Sequence, residues 1–312
     1  PQLVAGPIER DSHLLPQFYK NRTFDYQNAV DGVKLIIWGM FKKVVVADNC
    51  AFFVNKIFEN PEAYSSGELF VGMVFFAFQI YGDFSGYSDI AIGLSKLFGF
   101  DLMVNFKFPY FSRDIAEFWR RWHISLSTWF RDYIYIPLGG SKGSQWFQIR
   151  NVMIIFLVSG FWHGANWTYV VWGLFHALMF LPLLLFNINR SHLITKSYGW
   201  LDFAKIGVTF LVICIGWVFF RADSISDAFQ YLAHLFELKR LGLTLFYKTN
   251  ANLMIFGLSV LAVGILSMQE LVWVIKKREL PKISAFGALL LVLLIFFMGS
   301  FKNQMDFIYF QF

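Results

Sequence analysis

The sequence predicts an all-α polytopic membrane protein, and three observations lead there. Hydrophobic residues make up 57% of the 312 and charged residues only 15%, far to the apolar side of the roughly half-apolar, quarter-charged balance of soluble domains. Long stretches carry no Lys, Arg, Asp or Glu: residues 69–82, 151–189, 206–220, 251–269 and 283–301. A helix rising about 1.5 Å per residue crosses a hydrocarbon core of about 30 Å in about 20 residues. Residues 251–269 and 283–301 therefore fit one span each, while 151–189 is too long for one.

Net charge is +6, but the cations are scattered between apolar runs rather than gathered on one aromatic-lined basic face. That suits loops at a cytoplasmic surface and anionic headgroups, and it excludes a nucleic-acid partner. The two cysteines, Cys50 and Cys214, sit in apolar segments and read as buried free thiols, with no disulfide framework or CxxC site.

Taken in order, residues 1–24 mix Pro and Gly with charged residues and read as a polar loop, ending at a helix start near Thr23 or Asp25. Residues 30–54 are apolar yet hold Lys34, Lys42 and Lys43. Three lysines do not suit a lipid-exposed span, so the segment is interfacial, re-entrant or packed within protein. Residues 59–68 form a turn-rich connector. The stretch Tyr81-Gly82-Asp83-Phe84-Ser85-Gly86-Tyr87-Ser88-Asp89 reads as a cavity wall or as a helix break capped by Asp83 or Ser85. Asp83 is a candidate lining residue.

On a helical wheel, residues 113–133 gather Phe118, Trp119, Trp122, Leu126, Trp129, Phe130 and Tyr133 within about 60° of Ile115, while Arg113, Glu117, Arg120, Arg121, Ser127, Thr128 and Arg131 fall opposite. A basic face across from a Trp-rich face predicts one helix lying in the membrane interface. His123 comes out at the border of the two faces. The following Leu138-Gly139-Gly140-Ser141-Lys142-Gly143-Ser144 lacks phosphate-loop spacing and reads as a turn, with Lys142 available to a phosphate or headgroup. Gly160, Gly164 and Gly173 interrupt the uncharged run 151–189, and broken helices at membrane depth are tolerated where they line a cavity or pack in protein. A break near His163 is expected. Spans follow near 206–220, 251–269 and 283–301. The positive-inside rule claims both 221–248 (with Lys239, Arg240 and Lys248) and 276–278 for the cytoplasm, at opposite ends of one span, so it assigns no orientation.

His163 is a titratable side chain inside the uncharged run, and such a group in an apolar setting persists when it is paired, neutral or functional. No HExxH, HxxxH or cysteine set provides a zinc site, and no GxSxG elbow is present. Burial keeps an imidazole neutral, and a neutral imidazole is a general base toward a hydroxyl. With an acyl carbonyl within about 3.5 Å, that chemistry is acyl transfer, and Asn166 or a backbone amide is placed to stabilise the oxyanion. A histidine acting as interhelical glue fits the same pattern. His176 would lie about 220° around a continuous helix from His163 and so on its other side, as a packing residue. His13, His192 and His234 fall in polar or amphipathic stretches.

Three ordered motifs, Phe118-Trp119-Arg120-Arg121-Trp122-His123-Ile124-Ser125-Leu126-Ser127, Arg131-Asp132-Tyr133-Ile134-Tyr135-Ile136-Pro137-Leu138-Gly139-Gly140 and Phe161-Trp162-His163-Gly164-Ala165-Asn166-Trp167, resemble the membrane-bound O-acyltransferase superfamily. The resemblance is to its bacterial branch concerned with alginate O-acetylation and teichoic-acid D-alanylation. The opening Pro1-Gln2-Leu3-Val4-Ala5-Gly6-Pro7-Ile8, the 83–89 segment and the ending Phe307-Ile308-Tyr309-Phe310-Gln311-Phe312 resemble it too. The resemblance implies a single membrane domain over 1–312, a multi-helix bundle with re-entrant and interfacial helices around a central funnel, lacking the N-terminal transmembrane helices usual in that branch. It implies a multi-pass enzyme of the bacterial cytoplasmic membrane with no bound cofactor. That enzyme would move acetyl groups from acetyl-CoA, directly or through a partner, toward hydroxyls of an exported polysaccharide such as alginate. His163 maps onto the catalytic histidine and His123 onto the one at or near the tunnel, and Asn166, Asp83 and Arg131 are the substrate-binding candidates. The implied partners are membrane lipid, an acetyl-CoA or acyl-carrier donor, and a periplasmic or extracellular acetyltransferase. The alternatives are D-alanyl transfer from a carrier protein toward teichoic acid and a non-enzymatic transporter or scaffold. A transporter should show paired broken spans with midplane ion ligands in two halves, which the sequence lacks.

Overall fold

The computed structural model describes residues 6–190, 193, 198–237, 241–278 and 280–301. Positions 1–5 of the opening motif, His192, Lys239, Arg240 and the 307–312 ending lie outside the described residues. Every regular element among the described residues is helical, and four helices are long and apolar enough to cross a membrane: Ser66–Leu97, Trp167–Leu185, Trp200–Arg221 and Asn250–Ile275. This is an all-α polytopic membrane protein. The chain forms two compact units, one from residues 6–53, 78–107 and 246–301 and the other from residues 54–77 and 108–245.

In the first unit, α1 (Asp11–Tyr19) lies inside the stretch expected to be a polar loop. Helix α2 (Tyr26–Met40) starts at the expected cap, where the Asp25 carboxylate accepts from the Asn28 amide at 3.1 Å. It runs through a π-helical segment, Phe41–Ala47, into α3 (Asp48–Glu59). Of the three readings open for the lysine-bearing segment, the structure selects packing within protein. Lys42 is 2% exposed, with its Nζ 2.8 Å from Asp89 and 3.9 Å from Glu270. Lys43 sits between Asp83 at 2.8 Å and Asp48 at 3.0 Å. Each ammonium removed from water is compensated by carboxylates, the condition for holding a charge there.

Those carboxylates also explain a correction. The polar stretch 83–89 neither breaks nor caps a helix, because α4 (Ser66–Leu97) runs through it for 32 residues, about 48 Å. Asp83 and Asp89 are satisfied sideways by the two lysines, and Ser85 donates back to the Tyr81 carbonyl at 2.6 Å. Helix α4 starts where the connector ends, with the Ser65 hydroxyl accepting from the Glu68 amide and the Glu68 carboxylate accepting from the Ser65 amide, a reciprocal cap. The last two long helices of the chain belong to the first unit. Asn250–Ile275 is the expected span. Ala285–Met298 has 14 residues, about 21 Å, and is shorter than the span expected over 283–301. It begins at a Ser284 cap and ends at Gly299, and Asn49 donates to its Met298 carbonyl at 2.9 Å.

In the second unit, residues 113–133 are not one interfacial helix. They form α5 (Ile115–Arg121), α6 (Ile124–Phe130) and a π-helical turn, Arg131–Tyr135. Between the first two, His123 adopts left-handed dihedrals, φ 44° and ψ 54°, which a residue with a Cβ adopts only where its surroundings hold it. The wheel also placed Glu117 on the outward face, whereas it is 3% exposed. Arg113 and Arg121 both pair with it, Arg113 Nε at 3.0 Å, so its charge is neutralised from one turn on either side. The glycine-rich segment is the turn expected, with Gly139, Gly140 and Gly143 all at positive φ. Buried Asn151 holds it by donating to the Leu138 and Gly140 carbonyls.

Helices α7 (Gln145–His163) and α8 (Trp167–Leu185) divide the long uncharged run at the glycine break expected. They pack antiparallel with almost no side-chain spacer. A Cβ on Gly160 would lie 2.3 Å from the Tyr169 carbonyl oxygen, and one on Gly173 would lie 2.2 Å from that of Phe156. Small residues allow such backbone approach between membrane helices. Gly173→Ala is expected to destabilise the protein by about 1–3 kcal/mol through overpacking, measured as detergent-solubilised thermal unfolding. An unchanged transition would contradict this close seam. The unit is completed by α9 (Trp200–Arg221), α10 (Ile225–Phe236) and the short α11 (Thr244–Tyr247), whose first residues it holds. In chain order, Asn250–Ile275 is then α12 and Ala285–Met298 is α13.

Candidate active site

His163 is the last residue of α7, and Gly164 follows it in extended backbone. Three residues later the chain re-enters a helix, capped by Asn166, whose side-chain oxygen accepts from the Thr168 amide at 3.1 Å. The imidazole is thereby fixed at a helix end, not midway along a regular turn. Its ring stands edge-on to Trp162 at 5.0 Å, Trp172 at 5.1 Å and Phe220 at 5.3 Å between centroids. Its Nδ1 is buried, and the residue as a whole is half-buried at the helix end.

The break between α5 and α6 brings His123 to the same place. Its ring lies 6.3 Å from Trp162, and both histidines line one cavity of about 100 Å³ with Trp119, Trp122, Leu126, Phe130, Phe156 and Ser159 among its walls. The break itself is anchored by aromatic packing, as Trp122 stacks on Phe118 at 5.5 Å and meets Trp217 at 4.9 Å. Burial first, and then the nearby His163, push the His123 pKa well below the ordinary imidazole value, so His123 is neutral at neutral pH. Two imidazoles in an aromatic cavity can accept or donate hydrogen bonds to one bound hydroxyl and move its proton.

The other sequence candidates lie elsewhere. Asn166 is exposed, and besides capping α8 it donates from Nδ2 to the Asp223 carbonyl at 2.9 Å. It does not line the cavity. Arg131 is exposed in the π-helical turn, paired with Asp132 at 2.7 Å, and is also not a wall residue. Asp83 is buried in the first unit with Lys43.

His176 is the packing residue expected, by another route than a rotation along one helix: the chain reverses after His163, and His176 packs 5.1 Å from both Trp119 and Trp172. Trp172 thus touches both histidines. His176 is fully buried, and its two ring nitrogens have no hydrogen-bond partner among the described residues. Ser159 was missed as a wall residue, although its place one turn before His163 puts both on one face of α7. Among the described residues no group of three or more His, Cys, Asp or Glu is arranged to hold a metal ion, and both cysteines are free and buried.

Residues 1–226 match the membrane-bound O-acyltransferase family. The chain is 39% identical over 269 residues to the probable alginate O-acetylase AlgI of Pseudomonas aeruginosa, covering 86% of this chain and 50% of that protein. It is 40% identical over 237 residues to the peptidoglycan O-acetyltransferase of Helicobacter pylori, covering 74% and 44%. It is 34% identical over 194 residues to the teichoic acid D-alanyltransferase of Streptococcus thermophilus, covering 57% and 46%. The chain spans about half the length of the curated relatives it matches.

Proposed function

This chain belongs to the membrane-bound O-acyltransferase family, and from that premise we propose that it transfers acetyl groups to hydroxyls of an exported polysaccharide, with His163 as general base. The observation that carries the reading is the pair His163 and His123 on one aromatic-walled cavity. In the proposed step the His163 imidazole takes the proton of the acceptor hydroxyl as its oxygen attacks the thioester carbonyl of acetyl-CoA. A C–O bond forms, the C–S bond breaks, and the coenzyme A thiolate leaves to be protonated by the imidazolium. Neutral His123 orients the acceptor by hydrogen bonding. The aromatic walls exclude water that would compete as acceptor. Asn166, Asp83 and Arg131 stay candidate substrate contacts in this reading, outside the cavity that holds the proton transfer.

The same reading places the enzyme in the bacterial cytoplasmic membrane. It takes acetyl-CoA directly or through a partner protein, and works beside a periplasmic or extracellular acetyltransferase partner. The names of the Pseudomonas and Helicobacter relatives support an acetylated polysaccharide or peptidoglycan acceptor. The Streptococcus relative supports a second reading, D-alanyl transfer from a carrier protein. Purified full-length protein offered acetyl-CoA or a D-alanyl-loaded carrier separates the two. Consumption of acetyl-CoA with ester formation is the expected result, consumption of the carrier alone selects the second reading, and consumption of neither overturns both.

A further inference from the structure

The first unit contains a pocket of about 480 Å³ where α2, the end of α4 and the segment joining α12 to α13 meet. Lys34, Lys96, Arg278 and Lys282 line it, with Asp31 as the one carboxylate among the described lining residues. Asp31 accepts from Gln27 at 3.2 Å, and among the described residues none of the four cations is ion-paired. Lys34, Lys96 and Arg278 are partly buried, so they are held in the pocket walls. Uncompensated cations drawn together in a concave site call for an anionic ligand.

The surroundings say which kind. Lys96 stands at the end of α4 and Arg278 three residues past α12, and both helices are long and apolar enough to cross a membrane. The pocket therefore lies at the level where such helices leave the hydrocarbon and lipid headgroups begin. Leu35, Ile92 and Ile283 supply apolar wall beneath the cations, and Ile275 and Phe286 are exposed on the adjoining helices. A ligand with a phosphate head and acyl chains matches both halves of this environment.

We propose that this pocket is a headgroup site for an anionic phospholipid, with the phosphate on Lys34, Lys96 and Arg278, Lys282 at its rim, and the acyl chains along the apolar flank. The proposal is independent of the transfer chemistry. Full-length protein in detergent is mixed with equal amounts of dioleoyl phosphatidylglycerol and dioleoyl phosphatidylcholine, and retained lipid is counted by native mass spectrometry. Phosphatidylglycerol is expected to be retained at least about tenfold over phosphatidylcholine. The triple variant Lys34→Gln, Lys96→Gln, Arg278→Gln should remove that preference, and Lys282→Gln, an exposed position that leaves the fold intact, should reduce it several-fold. The pair Lys276→Gln, Lys277→Gln, just outside the pocket, should leave it unchanged. Equal retention of both lipids, a preference that survives in the Lys282→Gln and triple variants, or equal loss with the Lys276 and Lys277 pair would overturn the site. Displacement of phosphatidylglycerol by coenzyme A would assign the pocket to a soluble phosphate and also overturn it.

Discussion

Replacing His163 by Ala is expected to lower acyl transfer by roughly 10²- to 10⁴-fold, the usual contribution of a positioned general base. The measurement is ester formed per minute by purified full-length protein, with polysaccharide O-acetyl content in cells as the companion readout. His163 sits at a helix end and lines a cavity, so truncation enlarges that cavity without breaking a regular turn and the fold should survive. His123→Ala should lose as much or less, since the role assigned to it is orientation. His123→Gly sharpens the comparison, because glycine adopts the left-handed backbone of the α5–α6 break without its Cβ penalty. It should be more stable than the alanine variant while losing activity like it. Unchanged transfer in a well-expressed His163→Ala protein would leave that imidazole with packing alone.

The second large effect is one of stability. Glu117→Ala removes the carboxylate shared by Arg113 and Arg121, which also accepts from the Arg113 amide at 2.8 Å. Removing one partner of a buried pair costs about 3–5 kcal/mol because the remaining charges stay desolvated. Glu117→Gln, which keeps hydrogen-bonding capacity but not charge, should cost less. Arg120→Gln, exposed on the same helix, should change stability by no more than about 0.5 kcal/mol. Thermal unfolding of detergent-solubilised protein ranks the three, and a Glu117→Ala transition no lower than that of Arg120→Gln would show the pair to be dispensable. Because α5 leads into the His123 break, the alanine variant should also lose transfer activity through a misplaced His123.

What could be read in the sequence was whatever depended on neighbours along the chain. The Asp25 cap, the glycine turn at 139–143 and the chain break after His163 are local events with local signatures. The division of residues 113–133 was hidden, because two residues out of helix at Trp122 and His123 leave the apolar spacing on either side intact. Glu117 read as outward for a related reason: Arg113 and Arg121, its neighbours at four residues, look the same on a wheel whether the cluster faces water or is folded inward. The 83–89 stretch was misread because the lysines that satisfy Asp83 and Asp89 lie some forty residues earlier. His176 reads correctly as a packing residue, although the rotation that points there holds only for an unbroken helix. At the candidate site, the histidines were visible one at a time, and their shared cavity depended on two chain breaks, of which only one was foreseen.

The π-helical segment Phe41–Ala47 carries a constraint of another kind. A wider turn holds an extra residue within the same rise, so it shifts the angular register of everything after it relative to a regular helix. That shift lets the adjacent Lys42 and Lys43 face separate acidic partners while Val45, Val46 and Cys50 stay buried. The regular helix on either side has no such slack, and deleting one residue there would turn the residues beyond it by about 100°. Substitutions that keep volume should pass through this stretch more easily than a change of length, so the number of residues between Trp38 and Cys50 is itself part of the information that folds the unit.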